Sequence, residues 1–140
     1  MGLKNFMVLA LSVSLVIGVT LTDGCVRGET ATIEDITPQE AFTLIQNNQN
    51  NPDFVIIDVR TLEEFSGEHI ENATNIDFYS EAFRDTLKAL DKNKTYLIYC
   101  ESGGRSGSAL DIMAALNFKE VYNILGGINQ WKAEEFPTLK

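Results

Sequence analysis

From residue 33 onward, short uninterrupted apolar runs alternate with segments whose apolar residues recur every three or four places. Phe54-Val55-Ile56-Ile57-Asp58-Val59 is apolar on consecutive positions until its acid, and Thr95-Tyr96-Leu97-Ile98-Tyr99 and Val121-Tyr122-Asn123-Ile124-Leu125 have a similar character. Such runs are expected of strands covered on both faces, as in a parallel sheet. Ile33-Glu34-Asp35-Ile36 predicts a brief edge strand and Ala73-Thr74-Asn75-Ile76 a short one. Between them lie helix signals. Thr37-Pro38-Gln39-Glu40 is a capping box with proline at the first helical position, and Ala41, Leu44 and Ile45 supply an apolar face. A second box, Thr61-Leu62-Glu63-Glu64, opens a one- or two-turn helix ending near Ser66-Gly67. Ser80 precedes Phe83, Leu87 and Leu90 at helical spacing; Ala109, Leu110, Met113, Ala114 and Leu116 mark another helix, and Ile128 to Lys132 a last short one. The polar run Asn47–Pro52 reads as a solvated loop. Strands alternating with helices predict an α/β sandwich with a mostly parallel central sheet.

The first residues follow a different pattern. Lys4 is followed by a stretch, Phe6 to Val19, without charge until Asp23. That is the layout of a secretory leader, too short and too rich in Ser and Thr for a membrane span. The alternative is an uncleaved anchor helix. Leu21-Thr22-Asp23-Gly24-Cys25 is similar to a lipoprotein cleavage box, which makes Cys25 the candidate lipidation site. The expected organisation is therefore a leader over residues 1–24, a tether over 25–31 and a domain over 32–140. The domain is expected outside the cytoplasm, in the periplasm or an equivalent compartment, with the lipid as its tether to the membrane.

Composition narrows the partners. The chain of 140 residues has the size of one domain, and its net charge is −9 at pH 7. Removing the leader takes away Lys4 and Asp23 and leaves that charge unchanged. A domain this acidic would repel a nucleic-acid backbone, so no nucleic-acid partner is expected. With Cys25 in the leader, Cys100 is the sole thiol of the domain, and an internal disulfide has no second partner. One histidine and one free cysteine cannot complete a metal ligand set, so neither metal nor cofactor is expected.

The chemistry concentrates in Tyr99-Cys100-Glu101-Ser102-Gly103-Gly104-Arg105-Ser106-Gly107. Cys100 ends a strand, and sites of parallel α/β domains collect at strand carboxyl ends. Gly103 and Gly104 allow the backbone to curl so that successive amides point at one anion. The following helix, expected to start near Arg105 or Ser106, adds a partial positive charge of about half a unit at its N-terminus, and Arg105 adds a full charge. A thiol in that field should ionise below its free value of roughly 8.5. A buried structural cysteine beside an ordinary turn is the alternative.

These residues also carry a resemblance. C-E-S-G-G-R-S resembles the active-site loop of the rhodanese-like sulfurtransferases, whose common form is Cys-x-x-Gly-x-Arg-Ser. Ile57-Asp58-Val59-Arg60 is similar to that family's D-V-R element, and Glu64 through Ile76 to its E-F-x-x-G-H-I-x-G-A-x-N-I element, with Glu68 as an added residue and Asn72 in place of a frequent glycine. Phe118 to Val121, Leu125-Gly126-Gly127 and Trp131 resemble its closing pattern. The likeness spans roughly residues 33–137. It implies a single-domain, three-layer rhodanese fold. It further implies that Cys100 attacks a small anionic donor such as thiosulfate, carries sulfur as a persulfide, and passes it to cyanide or a thiol, including one borne by a protein. On that reading the amides of Glu101, Ser102, Gly103, Gly104, Arg105 and Ser106 cradle the sulfur. Arg105 draws in the donor and lowers the thiol pKa. Asp58, Arg60 and His69 are structural, and Trp131 is core or lid. A related phosphatase loop has one residue more between cysteine and arginine; the tighter ring here suits one sulfur atom better than a phosphate. The alternative within the family is a non-catalytic or sulfur-carrier module that docks a partner protein.

Overall fold

A computed structural model describes residues 30–140. The leader, the Cys25 lipidation candidate and most of the tether lie outside the described residues. Five strands and five helices alternate: β1 (Thr32–Ile36), α1 (Pro38–Asn47), β2 (Phe54–Asp58), α2 (Leu62–Gly67), β3 (Ala73–Asn75), α3 (Phe83–Ala89), β4 (Thr95–Tyr99), α4 (Gly104–Ala115), β5 (Glu120–Ile124) and α5 (Gly127–Ala133). The sheet order is β1-β5-β4-β2-β3 and every pairing is parallel. The expected α/β sandwich is therefore present, with a wholly parallel sheet. No helix of the described residues is long and apolar enough to cross a membrane.

The strand runs are apolar on both faces because both faces are covered. On one, Ile57, Tyr96, Ile98 and Val121 pack with Phe83 and Leu87 of α3 and with Ala109, Leu110 and Met113 of α4. On the other, Ile56, Leu97, Tyr99 and Ile124 pack with Ala41 of α1 and with Ile128 and Trp131 of α5. Trp131 is thus a core residue, buried among aromatic neighbours Phe42 and Phe136. Both sequence-read capping boxes form: the Thr37 and Thr61 hydroxyls accept from the amides of Glu40 and Glu64, whose carboxylates accept in return. α2 buries no residue and stands at the carboxyl edge of the sheet.

The Ser80 hydroxyl accepts from the Ala82 amide in the turn before α3, and the helix starts after Ala82 without a side-chain cap. One detail differs from the pattern reading. α4 begins at Gly104, one residue early, with Gly103 as its N-cap at φ +103°. Only Gly103 holds the left-handed conformation that glycine makes inexpensive, and Gly104 is already helical, so the curl rests on one glycine rather than two. Asn72, in place of a glycine, sits at φ +64°, a region asparagine tolerates better than most residues.

The topology locates a crevice. β2 and β4 are neighbours, with Asp58 opposite Tyr99. The crossover after β2 leads outward to β3, while that after β4 leads the other way to β5. Loops diverging from adjacent parallel strands open a cleft at their carboxyl ends, and both Arg60 and Cys100 stand there.

Candidate active site

Cys100 follows the last residue of β4, the central strand, so its backbone is fixed from both sides. The Val59 amide donates to the Tyr99 carbonyl at 3.0 Å. From the β5 side, the amides of Ile128 and Asn129 donate to the carbonyls of Cys100 and Glu101 at 2.9 and 3.1 Å. This last contact explains Gly127, which the sequence marks only through the resemblance of Leu125-Gly126-Gly127 to a family element. Gly127 has φ +59°, and a Cβ there would lie 2.4 Å from the Cys100 carbonyl oxygen and 2.6 Å from that of Glu101. Only a residue without a side chain lets α5 buttress the loop this closely.

The thiol is enclosed: Cys100 is 1% exposed. One side of its environment is the apolar cluster of Ile57, Ile98 and Ala109. The other is polar. The Gly103 amide donates to Sγ at 3.1 Å and the Ser106 hydroxyl at 3.3 Å. Ser106 is fully buried on the first turn of α4, so its hydroxyl has no competing solvent. Burial pushes the thiol pKa up. The Ser106 hydroxyl and the amides of Ser106, Gly103 and Ser102 push it down and prevail, leaving it below the ordinary thiol value. The loop is thus a ring of donors around one sulfur.

Arg105 departs from the part that the sequence reading gave it. Its guanidinium is held by both oxygens of Glu64, Nη1 to Oε2 at 2.8 Å and Nη2 to Oε1 at 2.7 Å. The Tyr79 ring lies 5.6 Å away on another side. Arg105 feels the thiolate and favours it in turn, but its nearest anion is Glu64, and the donors that contribute most to lowering the thiol pKa are uncharged. Glu64, N3 of α2, is therefore a residue of the site to which the sequence pattern gave no role beyond capping. Its pKa falls to about 2, chiefly through the Arg105 hydrogen bonds.

Asp58 and Arg60 form the frame beside the loop. Asp58 is fully buried, and Arg60 donates to its carboxylate through Nε at 3.1 Å and Nη2 at 2.8 Å. Arg60 also reaches the Glu68 carbonyl at 2.5 Å and the Glu101 carboxylate at 3.3 Å. Glu101, the residue after the nucleophile candidate, thus points away from the sulfur to a half-exposed ion pair. Asn75 ties β3 to this frame through the Asp58 and Arg60 carbonyls. The added residue Glu68 binds Lys132 at 2.6 Å and Thr138 at 2.7 Å, fastening the chain end to α5. His69 lies away from the thiol. Its ring stacks on Phe65 and its Nδ1 meets the Phe65 carbonyl at 2.9 Å, while its backbone pairs with Leu139.

Comparisons with known proteins agree with this geometry. The model of the rhodanese-like domain family matches residues 38–134. The chain is 34% identical over 105 residues to the thiosulfate sulfurtransferase GlpE of Coxiella burnetii, covering 75% of this chain and 92% of that one. It is 31% identical over 103 residues to the thiosulfate sulfurtransferase GlpE of Ectopseudomonas mendocina, covering 74% and 87%. Among solved structures it is similar to a rhodanese-related protein of Thermoplasma volcanium, with TM-score 0.63, 25% identity and coverage of 76% and 97%. A rhodanese-like domain protein of Staphylococcus aureus matches with TM-score 0.57, 30% identity and coverage of 70% and 90%.

Proposed function

This chain belongs to the rhodanese-like domain family, and we propose that it is a sulfurtransferase that carries sulfane sulfur as a persulfide on Cys100. The observation that carries this reading is the convergence of uncharged donors on one sulfur, the Gly103 amide at 3.1 Å and the Ser106 hydroxyl at 3.3 Å. They favour the thiolate over the thiol, and the same ring suits the terminal sulfur of a persulfide, which is itself an anion. The Cys100 thiolate attacks the outer sulfur of thiosulfate or a similar donor. The donor's sulfur–sulfur bond breaks with its electron pair on the leaving sulfite. Cyanide or a thiolate then takes the sulfur, and the Cys100 thiolate is restored. No metal or cofactor enters this cycle. With Cys100 enclosed, the donor must present a narrow sulfur end to the loop.

We place the domain outside the cytoplasm, tethered through a lipidated Cys25. The test is the intact mass of the full chain before and after thiosulfate. A gain of one sulfur atom is expected, absent in Cys100→Ser, together with thiocyanate formation when cyanide is added. The same mass reads leader removal and lipid. A wild-type protein that gains no sulfur from thiosulfate and forms no thiocyanate refutes the assignment.

A further inference from the structure

Building on the sulfurtransferase reading, we propose that Glu64 selects the charge of the sulfur donor, favouring monoanionic sulfane donors over the thiosulfate dianion. A loop arginine beside a nucleophilic thiol would ordinarily be the group that attracts a dianion. Here both terminal nitrogens of Arg105 are committed to the two oxygens of Glu64. The pair is only partly exposed, with side chains at 17% and 31%, so solvent does not readily separate it.

Among the described residues that line the groove beside the loop, no cation is free to substitute. Arg60 is bound to Asp58 and Glu101, and Lys132 to Glu68. The groove beside the loop is lined by Glu63, Glu64, Glu68 and Glu101 against Arg60 and Lys132, and with Arg105 bound to Glu64 the set still carries one net negative charge. Its field, added to that of a chain with net charge −9, opposes a dianion about twice as strongly as a monoanion. The sulfur itself is stabilised by the Gly103 amide and the Ser106 hydroxyl, which act on the transferred atom whatever charge its carrier bears. Glu64 stays ionised throughout the neutral range, so the neutralisation is permanent rather than switched.

A pair of donors with the same reacting bond isolates the charge. Thiosulfate carries two negative charges, and the methanethiosulfonate ion carries one. In each case the Cys100 thiolate takes the outer sulfur, the sulfur–sulfur bond breaks, and its electron pair leaves on sulfite or on methanesulfinate. The readout is the ratio of kcat/KM for thiosulfate to kcat/KM for methanethiosulfonate, with cyanide as acceptor. Glu64→Gln keeps the capping box, since glutamine serves at N3, and frees the charge of Arg105. The ratio should rise about tenfold, as expected for one fixed charge acting on one extra donor charge about 6 Å away in a partly screened site. Arg105→Gln should lower the ratio by a similar factor. The double variant, again neutral, should return within about threefold of wild type, and all shifts should shrink in about 1 M salt.

A parallel fall for both donors in Glu64→Gln, or a double variant that fails to restore the ratio, would show that Glu64 merely positions the loop and would overturn the proposal. Persulfide formation by the wild type, read by mass with either donor, separates that result from failure of the sulfurtransferase reading. If neither donor loads Cys100, both fall.

Discussion

Replacing Ser106 by alanine tests whether uncharged donors, rather than Arg105, set the reactivity of Cys100. The hydroxyl donates to Sγ at 3.3 Å from a fully buried position. A hydrogen bond to an ionised group is worth about 1.5–3 kcal/mol net. The neutral thiol recovers part of that, and sulfur accepts more weakly than oxygen, so about 1.4 kcal/mol should separate the two protonation states. That corresponds to a rise of about one pKa unit. The Gly103 amide remains, so the thiol is raised and not abolished. Thiolate absorbance followed against pH, with Cys100→Ser subtracted to remove Cys25, measures the shift directly. Turnover gives a second signature. Below both pKa values the rate should fall about tenfold with the thiolate fraction. Above both the rate should match or slightly exceed wild type, because a more basic thiolate is the stronger nucleophile. An unmoved pKa, or a loss of rate equal at every pH, refutes the reasoning and returns the effect to Arg105 or to simple disruption.

Gly127→Ala should damage the loop from a distance, since its Cβ would stand 2.4 Å from the Cys100 carbonyl oxygen and its φ of +59° is costly for alanine. A loss of roughly 2–4 kcal/mol in urea unfolding is expected, and an unchanged midpoint would show that the buttress is slack. Asp58→Asn leaves the buried Arg60 with only the half-exposed Glu101 as countercharge and should cost about 3–5 kcal/mol in the same assay. A loss below 1 kcal/mol would mean that Glu101 and the Glu68 carbonyl suffice for Arg60. Glu64 makes stability depend on acid: its folded pKa of about 2 lies below the ordinary 4.5. Its contribution is complete above the unfolded value and is lost as pH falls from about 4.5 toward 2. Allowing for solvent screening it should amount to about 1–2 kcal/mol, visible as a flatter pH–stability curve in Glu64→Gln. Identical curves would place the acid sensitivity elsewhere.

Much of this molecule could be read before any coordinate was known, because the determining interactions are local. The apolar runs at 54–57 and 95–99, the two Thr-x-x-Glu boxes and the Cys-to-Arg spacing each act over a few residues, where backbone geometry leaves few options. The loop's composition pointed to a thiolate held by amides, and its order of motifs to the family. What the chain pattern could not contain were the partners across 41 residues of sequence. Arg105 looked like a free cation because its counterion sits on α2, brought near only by the opposite departures of the loops after β2 and β4. Nothing local to the Gly126-Gly127 pair announced a buttress, because the neighbour of Gly127, the Cys100–Glu101 backbone, arrives through the β4–β5 pairing. The sequence by itself therefore determined which elements form and which thiol the proposed chemistry rests on. Tertiary packing alone decided how much charge surrounds that atom, since electrostatic energy depends on distances in space that no one-dimensional spacing encodes.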